Sequence, residues 1–190
     1  METLQTQAQL IVRQRIRFTV NQYEVHAVNP DGTEGGVLAF AQQKRLAFKE
    51  QVTLYTDDTK STPMLGFKAR HVLDVAATYD VTDAAGRPIG AFRKNFRESL
   101  LRSTWHLEQP GLGEMVGRET NFAVAVLRRF IESLSWLPYH FEFLIGDRPA
   151  FSVIRRWGLQ DRYVVTIHDP QLDRRLVTAM AVALDALQSR

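Results

Sequence analysis

Apolar and polar residues alternate along most of the chain, and turn-forming residues interrupt the alternation at short intervals. In the clearest stretch, residues 79–82 lead into a turn at 83–86 and return through 88–92. The basic pair Arg93-Lys94 follows, and another alternating segment covers 103–107. Alternation with a period of two, bounded by Gly, Asp and Pro, is typical of antiparallel hairpins. This stretch therefore predicts a hairpin followed by a third strand.

The same arrangement of hairpin, basic pair and further strand occurs twice more. The corresponding strand segments are 23–28, 37–40 and 52–55 in the first copy and 141–144, 150–153 and 163–167 in the third. Their basic pairs are Lys44-Arg45 and Arg155-Arg156. Additional alternating segments at 10–18, 64–70 and 113–117 bring the number of predicted strands to about twelve. Similar meanders of this kind favour a mainly β, closed antiparallel barrel.

One segment between the second and third copies predicts a surface helix. Thr120 and Asn121 can cap a helix whose apolar side chains recur every four residues through 122–134, and the pattern stops before Pro138. Arg128, Arg129 and Glu132 lie between these apolar positions and are expected to face outward. Such a helix packs its apolar face on a core and leaves the other in water.

The C-terminal segment predicts a second, unusual helix. Asp173 is a plausible N-cap, and residues 176–187 are apolar on almost every face, with Thr178 and Asp185 as the polar exceptions. A helix apolar all round must be buried all round. We therefore expect this helix to run through the barrel as its core. The expected core side chains are Leu176, Val177, Met180, Val182, Leu184 and Leu187.

Asp185 is the one carboxylate within this apolar helix. An unpaired buried carboxylate is costly, so the side chain must either reach the mouth of the barrel or meet an arginine or a hydroxyl group. The sequence leaves both outcomes open. In either case a structural role for Asp185 is the simpler interpretation.

Composition and charge narrow the class of protein. The chain has 190 residues, 45% of them hydrophobic, a formal net charge of +3 and no cysteine. The length is typical of one globular domain, so we expect a single barrel domain over 1–190, with residues 1–9 left open as a flexible start. The absence of cysteine excludes disulfides and thiolate sites, and no secretory signal is recognisable. We therefore expect a cytoplasmic protein.

Several segments together resemble a known family. They are residues 12–15 and 21–23 near the start, 69–74, 79–90 and 99–105 in the middle, and 173–176 at the start of the apolar helix. The chain resembles the LURP-one-related and phospholipid scramblase-like proteins of the Tubby C-terminal-like superfamily over nearly its whole length. The resemblance implies a closed barrel of about twelve strands around a hydrophobic C-terminal helix.

The resemblance also implies a non-enzymatic binding or scaffold module that contacts an anionic membrane surface, with a peripheral location at the inner membrane surface. The candidate residues for phospholipid headgroups are Arg93, Lys94, Arg97 and Arg102, around a loop where Phe96 would insert. A solvated hairpin loop is the simpler interpretation of these cations. The basic pairs are scattered along the chain, so no nucleic-acid partner is expected. The sequence identifies no protein partner.

No catalytic, metal or cofactor motif is present. The chain lacks GxSxG, GxxxxGK[ST], HExxH and GxGxxG, and its five histidines are isolated. We therefore predict no catalytic residue, no metal site and no cofactor. Two alternatives stay open: a small-molecule enzyme that uses His26, His106 or His168 at one barrel end, and scramblase-like activity through the apolar helix.

Overall fold

Antiparallel strands follow one another around a closed barrel in the computed structural model. The structure describes residues 2–16, 20–44, 51–70, 78–95, 104–120, 140–156 and 162–188. The elements are α1 (Glu2–Gln5), β1 (Gln9–Ile16), β2 (Val20–Val28), β3 (Glu34–Lys44), β4 (Gln51–Tyr55), β5 (Pro63–Ala69), β6 (Thr78–Asp83), β7 (Pro88–Lys94), β8 (Thr104–Gln109), β9 (Gly113–Glu119), β10 (His140–Ile145), β11 (Arg148–Arg156), β12 (Arg162–Ile167) and α2 (Arg174–Gln188).

Each strand pairs with its neighbours in sequence, and β12 pairs with β1 to close the ring. The predicted closed antiparallel barrel of twelve strands around a buried hydrophobic C-terminal helix is thus confirmed. The surface helix expected over 122–134 lies outside the described residues. Within the described ranges, no helix has the length and apolar character needed to cross a bilayer.

The core consists of α2 and the inward-facing side chains of the strands. All six side chains expected in this core are buried, and the most exposed of them, Leu187, has 8% of its surface accessible. Thr178 is also buried, and its hydroxyl donates a hydrogen bond of 2.7 Å to the carbonyl oxygen of Arg174. The bond satisfies a polar group that would otherwise be costly inside the barrel.

Glycines in the wall make room where the packing is tightest. A Cβ atom built at Gly90 would lie 2.6 Å from Leu176 of α2 and 2.5 Å from the carbonyl oxygen of Glu108. At Gly117 a Cβ atom would lie 2.3 Å from the ring of Phe143 on the adjacent strand. Neither position has space for even a methyl group.

The two ends of the barrel differ in their connections. At one end, here called the turn end, short turns join β2 to β3, β4 to β5, β6 to β7, β8 to β9 and β10 to β11. The helix α2 also enters there, after β12. At the other end, the rim end, the odd-numbered strands finish, and their connections to the next strands run largely or wholly through residues outside the described ranges.

Hydrogen bonds at the turn end hold the start of α2. Asp173 is the N-cap, as predicted: its Oδ1 accepts a hydrogen bond of 2.9 Å from the backbone N–H of Arg175. Residues 2–9, considered above as a flexible start, include α1, whose Leu4 is buried. The Nε2 of Gln5 donates a 2.7 Å hydrogen bond to Asp173 Oδ1, and Gln5 Oε1 accepts one from the backbone N–H of Arg174. The first residues of the chain therefore hold the start of α2 at the turn end of the barrel.

The Asp173 carboxylate also forms an ion pair with Arg175, whose Nη2 lies 2.6 Å from Asp173 Oδ2. Burial raises the pKa of Asp173, but hydrogen bonds from Arg175 and Gln5 outweigh this effect and hold the pKa below its usual value. The hydrogen bond to Asp173 is in turn the main cause of a raised pKa at Arg175. The pair therefore favours the charged form of both groups in the folded protein.

We expect Gly117→Ala to lower the free energy of unfolding by about 1–3 kcal/mol, because the added methyl group collides with the Phe143 ring. Gly36→Ala is the matched control, since nothing lies within 4 Å of a Cβ atom there. Urea denaturation of both variants measures the effect. Equal stability of the two variants would contradict the tight packing at Gly117.

We expect Asp173→Asn to destabilise the protein by about 1 kcal/mol at neutral pH, because the variant keeps a capping oxygen but loses the charge that Arg175 binds. Since the pKa is lowered in the folded state, the wild-type advantage is full above the unfolded pKa of about 4 and is lost as the pH falls through the folded value. Denaturation curves across acidic pH, with the exposed Asp58→Asn as control, measure this. A difference in stability between the wild type and Asp173→Asn that does not change with pH would contradict this prediction.

Candidate functional site: the basic rim of the barrel

Basic residues collect at the rim end because of the direction of the strands. Every odd-numbered strand runs toward the rim end and has a lysine or arginine among its last four residues. We call these residues, with the adjacent Arg70 and Arg162, the basic rim; its strand-end members are Arg13, Arg15, Lys44, Lys68, Arg93, Lys94, Arg118, Arg155 and Arg156. Basic pairs that are far apart in sequence therefore meet at one end of the barrel.

The turn end carries the opposite charge pattern. Aspartates occupy most of its turns, and their positions are 31, 57, 58, 83, 147, 169 and 173. Its arginines are largely neutralised by these aspartates: Arg87 pairs with Asp83, and Arg148 lies 3.4 Å from Asp169. The modest net charge of the chain thus conceals a separation of charge along the barrel axis.

Some rim cations are in ion pairs and others are not. Arg15 pairs with Glu24 at 3.0 Å, and Arg93 with Glu114 at 3.3 Å. Arg70 pairs with Asp80 at 2.5 Å, and the hydrogen bond to Asp80 is the main cause of its raised pKa. Exposed pairs of this kind stabilise a protein by about 0–1 kcal/mol, so a stronger anion can compete for the guanidinium group.

Three exposed rim cations, Lys68, Arg118 and Arg156, form no ion pair with a described residue. Each is the outward neighbour of an inward-facing side chain, so strand alternation turns it toward solvent. These cations are therefore exposed positive charges of the basic rim that no described carboxylate neutralises.

The residues predicted from the sequence to bind headgroups do not lie on one surface in the structure. Arg93 faces outward with its side chain 45% exposed. Lys94 is on the opposite face of β7, with Phe92, and its Nζ lies 5.8 Å from the centroid of the buried Trp105 ring. Arg97, Arg102 and the loop residue Phe96 lie outside the described residues. Adjacent strand residues point to opposite faces, so Arg93 and Lys94 do not form one surface patch.

The barrel interior becomes polar toward the rim end. Asp185 of α2 accepts a hydrogen bond of 2.8 Å from the Tyr23 hydroxyl and another from the Tyr163 hydroxyl. The carboxylate therefore meets hydroxyl partners, one of the two outcomes expected from the sequence. Gln43 and Glu119 are also buried at this level, on the inward faces of β3 and β9. Sequence reasoning missed this inward polar layer, although the alternation of β9 already places Glu119 on the same face as Met115.

The histidines considered for catalysis do not come together at one site. His26 lies on β2 beside Glu24, with 3.4 Å between Nε2 and Oε2. His106 lies on β8, halfway around the ring, and His168 follows β12 at the turn end. The three side chains therefore do not form the barrel-end site considered from the sequence. Across the described ranges, no group of three or more His, Asp or Glu side chains is arranged to hold a metal ion.

Comparison with known protein families identifies the chain. The family model described as LURP-one-related matches residues 37–185, from β3 to the last turns of α2. The chain belongs to the LURP-one-related family. The family resemblance seen in the sequence is thereby confirmed. The wider relation of this LURP-one-related chain to the scramblase-like and Tubby C-terminal-like proteins rests on the sequence resemblance alone.

Two further comparisons add no functional information about this LURP-one-related protein. No curated protein sequence matches the chain. Among solved structures, a porin-like protein from Bacteroides uniformis ATCC 8492 matches with 9% identity over 85% of this chain and 97% of that chain. The TM-score is 0.25, too low to support a conclusion about fold or function.

Proposed function

We propose that this LURP-one-related protein is a non-enzymatic binding module whose basic rim contacts anionic phospholipid headgroups. The supporting observation is the convergence of strand-end cations on one end of the barrel. Each lysine or arginine near an anionic bilayer contributes about 1 kcal/mol of attraction, so several cations at one level add up to a useful affinity.

The distribution of charge supports one orientation at the membrane. The basic rim is attracted to an anionic surface, while the aspartates of the turn end are repelled by it. The connection from β7 to β8, which contains the predicted residues Arg97 and Arg102, starts and ends at the rim end. The proposal therefore includes these two residues, and it places the protein in the cytoplasm, peripheral at the inner membrane surface.

A lipid surface fits the described residues better than a nucleic acid does. Proteins that bind single strands present aromatic side chains on which bases stack. The large hydrophobic side chain that stands exposed among the described residues is Val37, which has no ring. A ring of cations around a barrel end matches a broad, flat anionic surface more closely than it matches a narrow strand.

The alternatives from the sequence receive no comparable support. Scramblase-like activity through α2 would require its apolar face to leave the barrel, and that face is buried. An enzyme based on the strand histidines would require them to meet, and His106 lies on β8, halfway around the barrel from His26 on β2.

The proposal is tested by sedimentation with phosphatidylcholine vesicles that contain or lack phosphatidylglycerol. We expect salt-sensitive binding to the anionic vesicles only. The variant K68Q/R118Q/R156Q removes three rim cations that form no ion pair with a described residue, and it should bind roughly a hundredfold more weakly, at about 1 kcal/mol per charge. The matched control, K60Q/R87Q/R148Q, removes the same charge at the turn end and should bind like the wild type.

Thermal unfolding first confirms that both variants are folded. Equal recovery of the wild type with neutral and anionic vesicles would overturn the proposal, as would an equal loss of binding in both triple variants. A parallel binding measurement with duplex DNA at the same salt concentration tests whether the basic rim binds nucleic acid. Retention on DNA without binding to vesicles would assign the basic rim to nucleic acid instead.

A further inference from the structure

A groove of about 160 Å³ lies on the outer wall of the barrel beside the basic rim. Arg70 and Arg93 line its rim side, because they stand at the ends of β5 and β7. Glu108 and Glu114, which face each other across β8 and β9, line the side toward the turn end. The groove is therefore positive at one end and negative at the other.

His106 lies between these charged ends, with its side chain 13% exposed. Its Nδ1 is 3.0 Å from Glu114 Oε1. A carboxylate only accepts hydrogen bonds, so Nδ1 is the ring nitrogen that carries the hydrogen, and in the neutral ring Nε2 is an acceptor. Nε2 is buried and has no hydrogen-bond partner among the described residues. Because Nε2 is buried, a ligand in the groove contacts the His106 ring through its other atoms.

The charged groups around the His106 ring differ in their hydrogen-bond and ion-pair partners. Glu114 accepts from both His106 and Arg93, and Arg70 is held by Asp80. Glu108 is exposed, and its negative charge contributes to the raised pKa of Arg70. The groove thus brings two carboxylates and the His106 ring close to two guanidinium groups.

We infer that this groove is a subsite for a phosphate-bearing group that also carries an ammonium. The phosphate lies against Arg70 and Arg93, and the ammonium lies beside Glu108 and the His106 ring. The groove, at about 160 Å³, is small and suits the polar tip of a headgroup better than its acyl chains. For a lipid ligand, this inference rests on the proposed function. It predicts that headgroups with an amine bind more tightly than headgroups without one.

Vesicles of equal charge separate this subsite from general attraction to the basic rim. Phosphatidylserine and phosphatidylglycerol carry the same net charge, but only the first has an ammonium. We expect the wild type to bind phosphatidylserine vesicles several-fold more tightly than phosphatidylglycerol vesicles. Glu108→Gln and His106→Phe should each bring this ratio close to one. The control Glu142→Gln removes a carboxylate of the same wall that does not line the groove, and it should keep the wild-type ratio.

Soluble compounds test the groove without a membrane. O-phosphoserine should shift the His106 imidazole NMR resonances of the wild type, and glycerol phosphate should do so much more weakly. If O-phosphoserine shifts them while neither vesicle type binds, the subsite serves a soluble phosphoamine and the lipid function fails. If both vesicle types bind equally and neither soluble compound shifts His106, the subsite is overturned while the lipid function stands.

Discussion

The structure depends on the enclosure of one helix that cannot be exposed to water. α2 has apolar side chains on nearly every face, and the side chains from Leu176 to Leu184 are buried. A single sheet face would cover only one side of such a helix, whereas a closed ring of strands covers all sides. Gly90 and Gly117 show how closely the wall is packed, because a methyl group at either position would collide with a neighbour.

Closure around α2 also determines where the polar groups lie. The helix enters at the turn end, where Asp173, Gln5 and the backbone of Arg174 and Arg175 form its cap. It ends near the rim end, where Asp185 meets two tyrosine hydroxyls. The apolar core therefore has a polar boundary at each end. The strand-end cations surround the second boundary, which places the charged surface of the protein at one end of the barrel.

The fold could be predicted from the sequence more completely than the candidate site. Alternation located every strand, although the observed ends differ by a few residues because hydrogen bonding extends strands beyond their alternating parts. One such extension matters: β7 continues to Lys94, so Lys94 turns inward to Trp105 while Arg93 faces solvent. The basic pairs looked scattered because distance along a chain does not show which strand ends share a rim. For the same reason, the separation of His26 from His106 was not visible.

The sequence by itself determined that the chain forms hairpins, that its last helix must be enclosed and that Asp173 and Asp185 need partners, because these follow from local periodicity and the cost of burying charge. Only the tertiary structure decided which residues meet. Ring closure placed β12 beside β1, gathered the cations of the odd-numbered strands on one rim and brought Arg70 and Arg93 to the same groove as His106. Such contacts depend on strand order and direction in three dimensions, which no local pattern specifies.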